Sequence, residues 1–126
     1  FAAGAEGIQM GTRFVSSLES PVHQNFKNKI LDSNEEGTYI LNKKGKPCIR
    51  AMKSNLTEDI YEKGIMDMTA LSNIKDLYFE GDMEAAPALA GQSMGLIDEV
   101  KPVKDIIDET IQQFNLVCDV MQQAKL

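Results

Sequence analysis

The spacing of apolar and polar positions along this chain predicts a mainly helical protein with a few short strands. Residues 6–10 alternate around Ile8 and Met10 and run on into Phe14 and Val15, as a short strand entering a loop does. Val22, Phe26 and Ile30 follow at helical spacing. A helix is therefore expected from Pro21 to Leu31, with Ser20 as N-cap and Pro21 in the first turn, where its missing N–H costs nothing. Tyr39-Ile40-Leu41, the polar "NKKGK" and Cys48-Ile49 read as a hairpin, with Gly45 in the turn and Pro47 opening an edge strand; an irregular extended segment is the other reading. Thr57 is the expected cap of a helix over 58–63 that stops at Gly64. Thr69 is the expected cap of another, carrying Leu71, Ile74, Leu77 and Tyr78 and ending near Gly81. Residues from Glu84 to Ala90 are alanine-rich and helical by propensity, before the two glycines of "GQSMG" break the pattern.

The last element gives the clearest signal. After Pro102, the residues Val103, Ile106, Ile107, Thr110, Ile111, Phe114, Val117, Cys118 and Met121 recur at three- and four-residue steps. Asp105, Asp108, Glu109, Gln112, Gln113 and Gln122 fall on the opposite side. This predicts a long amphipathic helix that covers an apolar core. Its polar face lacks the basic residues that a membrane-surface helix needs.

Composition narrows the class. A chain of 126 residues is one domain's worth, with 43% apolar and 25% charged residues, which fits a globular protein and not a disordered, collagenous or membrane one. No apolar run reaches the roughly 20 residues that cross a bilayer, and the first residues lack the basic start of a signal peptide, so no membrane contact and a cytoplasmic location are expected. Nineteen acids against thirteen bases give a net charge of −6, which opposes nucleic-acid binding. Cys48 and Cys118 stand far apart with no paired Cys or His near either, so no metal site is indicated and two free, buried thiols are expected.

The common short catalytic signatures (GxSxG, the P-loop, HExxH and CxxC) are absent. Two glycine-containing loops remain. In "QMGTRF" the glycine permits close backbone approach, so that N–H groups around Gly11 and Thr12, with the threonine hydroxyl, are able to face an anion; taken alone, the residues favour a plain turn with Arg13 at the surface. In "EGDMEAAPALAGQSMGLIDEV" the small residues from Ala85 to Gly91 allow close packing against a neighbour or a flat ligand, and Gln92 and Ser93 offer uncharged hydrogen-bonding groups beside Met94. His23, the one histidine, stands at a helix start, where a solvent-facing or N-terminal-turn role is the ordinary outcome.

The order and wording of the two segments "GAEGIQMGTRFVSSLESPVHQNFK" and "EGDMEAAPALAGQSMGLIDEVKPV" resemble the C-terminal portion of the nitronate monooxygenase (2-nitropropane dioxygenase) family, which includes the flavin-dependent enoyl-acyl carrier protein reductases II. The similarity spans nearly the whole chain and is strongest over 4–27 and 80–102. The stretch from Asp32 to Tyr78 matches in outline only, through "GKPCIRAMKSNLT". The resemblance implies an α/β fold: the C-terminal part of a (β/α)8 TIM barrel with a mostly helical extension, the active site lying at the C-terminal ends of the barrel strands. Residues 1–31 would be the last barrel strand and helix, 32–80 a connecting hairpin-like segment with short helices, and 81–126 a flavin-pocket loop and the amphipathic helix. On this view the chain begins inside a barrel whose earlier strands it lacks.

Carried over position by position, the resemblance implies that Gln9, Met10, Gly11 and Thr12 bind the phosphate of FMN and that Gln92, Ser93 and Met94 close over the flavin or substrate. Arg13 is left to a phosphate or an ion pair. No catalytic residue is assigned, because the family's catalytic histidine belongs to an earlier part of the barrel and His23 matches a "VHxN" segment of the last helix. Three functions follow: an FMN-dependent nitronate monooxygenase using dioxygen; an FMN-dependent enoyl reductase that also takes NAD(P)H; or a folded segment without catalysis of its own. The partners expected are a small-molecule substrate, nitronate or enoyl thioester, with room for a homodimer.

Overall fold

The computed structural model describes residues 3–124, so the outermost residues of the first and last expected segments lie outside it. Its one sheet among the described residues is the hairpin read from the sequence. Strand β1 (Thr38–Leu41) pairs antiparallel with β2 (Ile49–Met52), Thr38 opposite Met52 and Leu41 opposite Ile49. Asn42 makes the turn possible. It adopts a positive φ of 60°, is buried, and uses its side chain twice: Oδ1 accepts the Met66 N–H at 3.1 Å and Nδ2 donates to the Pro47 carbonyl at 2.9 Å. Asparagine is among the few residues that visit this backbone region readily.

The expected strand over 6–10 is not formed; the segment is irregular and Ile8 is exposed. A strand needs a neighbour to take its N–H and C=O groups, and the hairpin lies elsewhere. Instead the chain enters a four-residue helix, α1 (Thr12–Val15). Helix α2 (Gln24–Leu31) starts later than Ser20-Pro21 suggests: His23 is its N-cap, Nδ1 accepting the Asn25 N–H at 3.1 Å while its own N–H donates to the Tyr78 carbonyl at 2.6 Å. Gly81, at φ 77°, packs so closely on this imidazole that a Cβ there would lie 2.2 Å from Nδ1. The one histidine is thus a cap.

Helix α3 (Asn55–Lys63) ends at Gly64 as expected, in the left-handed conformation with φ 73°. Its cap is Ser54, not Thr57. Thr57 is the reciprocal partner in a capping box, fully buried, its hydroxyl donating to the Met52 carbonyl at 2.8 Å. The next expected helix is broken into a 3-10 turn, Met68–Leu71, capped by Asp67 in place of Thr69, and a π-type turn, Asp76–Glu80, that ends at Gly81. Residues 84–90 are not helical. Pro87 bars its predecessor from helical geometry, and the segment runs extended beside β2, with Ala51 bridged to Leu89 and the Met52 N–H donating to Ala88 O at 2.8 Å. Its alanines Ala86, Ala88 and Ala90 fill a core with Phe26, Ile30, Met52, Leu77 and Met94. A second cluster, Leu41, Ala51, Ile60 and Met66, lies between the hairpin and α3.

Helix α4 (Val103–Gln123) covers the core less than its pattern predicts. Ile106 is buried, whereas Ile111, Val117, Val120 and Met121 are each more than half exposed. The reason is length: the packed body reaches only the first turns of a 21-residue helix. Cys48 is exposed at the end of the hairpin turn and Cys118 half-buried on α4; both are free, so burial is corrected for Cys48. Among the described residues no helix is long and apolar enough to cross a membrane, and no group of three metal-ligating side chains occurs.

Candidate functional site

A cleft of about 890 Å³ opens where α1, the 3-10 turn Gln92–Leu96 and the start of α4 meet. One wall is Gln9, Met10, Gly11, Thr12 and Arg13 with Ser93; the other carries Glu99, Lys101, Glu109 and Gln113. The two glycine-containing segments therefore come together. They are joined directly: Thr12 Oγ1 accepts the Gly91 N–H at 2.8 Å.

Several further bonds set this wall. Arg13 donates from its guanidinium to the Glu99 carbonyl at 2.7 Å, and Ser16 Oγ, buried below it, donates to the Arg13 carbonyl at 2.8 Å. The Leu18 N–H donates to the Lys101 carbonyl at 2.9 Å. Glu19 accepts the Val103 N–H at 2.9 Å, satisfying an otherwise unpaired donor at the start of α4 with a carboxylate that the helix dipole also favours. Lys27, buried, donates to the Ser17 and Ser20 carbonyls at 2.7 and 2.9 Å and so holds the loop after α1 from within.

On one side of the cleft a single cation is shared by two carboxylates, and on the other a cation is left open. Lys101 bridges Glu99 and Glu109, each at 2.7 Å, and the hydrogen bonds it donates, to Glu109 first and Glu99 second, hold its ammonium above the usual lysine range. Arg13 has no carboxylate partner among the described residues. At Gly11 no atom lies within 4 Å of where a Cβ would stand, so the backbone is open to approach.

Of the residues singled out in the sequence, Gln9, Met10, Gly11, Thr12 and Ser93 line one cleft. Gln92 does not; it borders a second hollow beside the hairpin. Met94 is fully buried in the core, because its apolar side chain is the one member of "GQSMG" that gains by leaving water. His23 lies away from the cleft. Sequence reasoning misses the Glu99–Lys101–Glu109 cluster: Lys101 precedes α4 and reaches Glu109 two turns into it, a pairing that no helical spacing announces.

The fold has solved relatives. FabK from Thermotoga maritima, a TIM-barrel chain, superposes with a TM-score of 0.90 at 33% identity, covering 98% of this chain and 42% of that one; a point mutant of the same FabK gives 0.85 at 35% identity, covering 98% and 39%. The fold is thus that of a portion of a (β/α)8 barrel protein. The family model for nitronate monooxygenase matches residues 1–113, and the chain belongs to that oxidoreductase family. Two proteins of Staphylococcus aureus strains, each named "Probable nitronate monooxygenase", are 27% and 28% identical over 121 residues, 90% of this chain. The chain spans about a third of their length, 34%.

Proposed function

We propose that this chain forms the phosphate side of an FMN site in an oxidoreductase that oxidises alkyl nitronates with dioxygen. The observation that carries the reading is the single wall made by residues 9–13 with Gly91 and Ser93, tied by the Thr12–Gly91 bond. The residues fit a phosphate. Gly11 leaves room at the backbone, Arg13 carries a charge that no carboxylate among the described residues neutralises, and the Thr12 hydroxyl, which already accepts from Gly91, has its own proton left to donate. Lys101 offsets one of the two charges of Glu99 and Glu109, and Asp98 borders the cleft as well, so the facing wall keeps a net negative charge and an anion is favoured only on the Gly11–Arg13 side.

FMN, when bound, supplies the two-electron chemistry. The roles of this chain's residues are positional: Gly11, Thr12 and Arg13 hold the phosphate, while Gln9 and Ser93 offer uncharged hydrogen bonds beside it. A second reading, reduction of an enoyl thioester with NAD(P)H through the same flavin, is supported by the likeness to FabK.

The test is a chimera in which this chain replaces the matching part of Thermotoga maritima FabK. It is expected to purify yellow, and Gly11→Asp to purify colourless, because a carboxylate at the phosphate position repels its charge. Nitronate-dependent oxygen uptake supports the first reading; enoyl-dependent NAD(P)H oxidation supports the second. The 126-residue chain alone is expected to purify colourless, since flavin contacts from the rest of a barrel are absent. Flavin retained after Gly11→Asp overturns the phosphate assignment.

A further inference from the structure

The hairpin concentrates charge of the opposite sign to the rest of the molecule. From Thr38 to Leu56 the sequence holds five bases, Lys43, Lys44, Lys46, Arg50 and Lys53, and no acid, in a chain whose net charge is −6. The structure fixes three of them around one feature. Tyr39 and Tyr61 stack with ring centroids 4.3 Å apart; Lys43 Nζ stands 3.7 Å from the Tyr61 centroid and Lys53 Nζ 4.9 Å from the Tyr39 centroid. Because the rings occupy each other's inner faces, the two ammoniums take the outer ones. Arg50 donates to Thr38 Oγ1 at 2.8 Å and borders the same shallow hollow of about 360 Å³. Every ion pair among the described residues lies at Lys101 or Lys104, so these three cations have no carboxylate partner.

We propose that this hairpin face is a docking surface for a protein partner that presents several carboxylates. Ring contacts orient an ammonium without neutralising it, so the site keeps its charge for a partner. The spacing selects the partner's kind. Lys43 and Lys53 stand on opposite sides of a two-ring stack, so one phosphate group does not bridge both, and with both outer faces taken no ring is free to stack on a nucleotide base. Glu35 and Glu36 border the hollow too. A uniformly anionic bilayer would press headgroups against them, whereas a protein places its carboxylates opposite the cations alone. Exposed Ile40 and Tyr61 supply the apolar contact that protein interfaces add to a polar rim. This inference does not rest on the flavin assignment.

The experiment titrates the 126-residue chain with a labelled glutamate-rich peptide, read by fluorescence anisotropy and by amide NMR shifts. Binding is expected at low salt, with shifts confined to the hairpin, and with Kd rising about tenfold or more between about 50 and 300 mM salt. Lys43→Gln with Lys53→Gln is expected to weaken binding about tenfold, while Lys104→Gln, whose partner is Asp108 on α4, leaves it unchanged. If the double variant does not fold, the wild-type chain is titrated with the same peptide carrying Gln for Glu, which must fail to bind. No binding, equal binding by the double variant or by the Gln peptide, or displacement by equal charge concentrations of tripolyphosphate or phosphatidylglycerol vesicles overturns the proposal.

Discussion

The hydroxyl of Thr12 accepts the Gly91 N–H across 79 positions of sequence. Thr12→Val keeps the side-chain shape and removes the acceptor, leaving a half-buried N–H without its partner. The expected loss is about 1–2 kcal/mol in urea denaturation, recovered by Thr12→Ser. A valine variant as stable as the wild type would show that water replaces the hydroxyl at no cost.

Ala88 is buried in an extended segment against β2, its carbonyl accepting from Met52. Ala88→Leu adds volume that this core has no space for, and is expected to cost ~1–3 kcal/mol through overpacking. Thermal denaturation checks it. An unchanged midpoint would place residue 88 at a surface.

Along α4, one helix offers an internal comparison. Ile106→Ala is expected to cost about 2–4 kcal/mol, because that side chain is buried. Val120→Ala, at 59% exposure, is expected to stay within about 0.5 kcal/mol. Phe114, 43% exposed, falls between, at about 1–2 kcal/mol for Phe114→Ala rather than the value for a fully buried ring. Equal losses at 106 and 120 would mean that the far end of the helix is covered in solution.

Tyr78 packs on Phe26, ring centroids 5.0 Å apart, and burial raises its phenol above the usual tyrosine range. The folded state therefore favours the neutral form. That contribution is complete below about pH 10, the ordinary tyrosine value, and is lost as pH rises through the higher folded value. Lys101, raised by Glu109 and Glu99, acts in the same direction. Denaturation midpoints are expected to fall on the alkaline side, and phenolate absorbance to show a late-titrating tyrosine that Tyr78→Phe removes. Asp67 works at the other end: the Thr69 N–H lowers its carboxyl, so its contribution is present above the ordinary aspartate range and lost as pH falls.

What the sequence made legible was local. The hairpin follows from alternation around a polar turn, and the end of α3 from Gly64, because both are decided within a few residues. The strand over 6–10 and the extent of α4's buried face are tertiary matters: the first needs a neighbouring strand, the second needs something to cover it. Pro87 was a readable contradiction to a helix over 84–90, outweighed by alanine propensity. At the site, the resemblance marks Gly11, Thr12 and Ser93, which the structure gathers in one cleft, yet Met94 turns inward and the Lys101 cluster forms where the chain bends into α4, outside any helical spacing.

The long-range bonds around the cleft bear on how the chain reaches its native state. Arg13 to Glu99 spans 86 positions and Glu19 to Val103 spans 84, whereas the hairpin and the Ser54–Thr57 capping box close over short loops. Closing a long loop costs chain entropy before any contact forms to offset it. The hairpin with α3 is therefore expected to form first and the cleft last. In stopped-flow kinetics, Glu19→Gln should speed unfolding and leave the folding rate unchanged, while Thr57→Ala should slow folding. An intermediate on this route would hold the hairpin's cations in place before any cleft exists to receive a ligand.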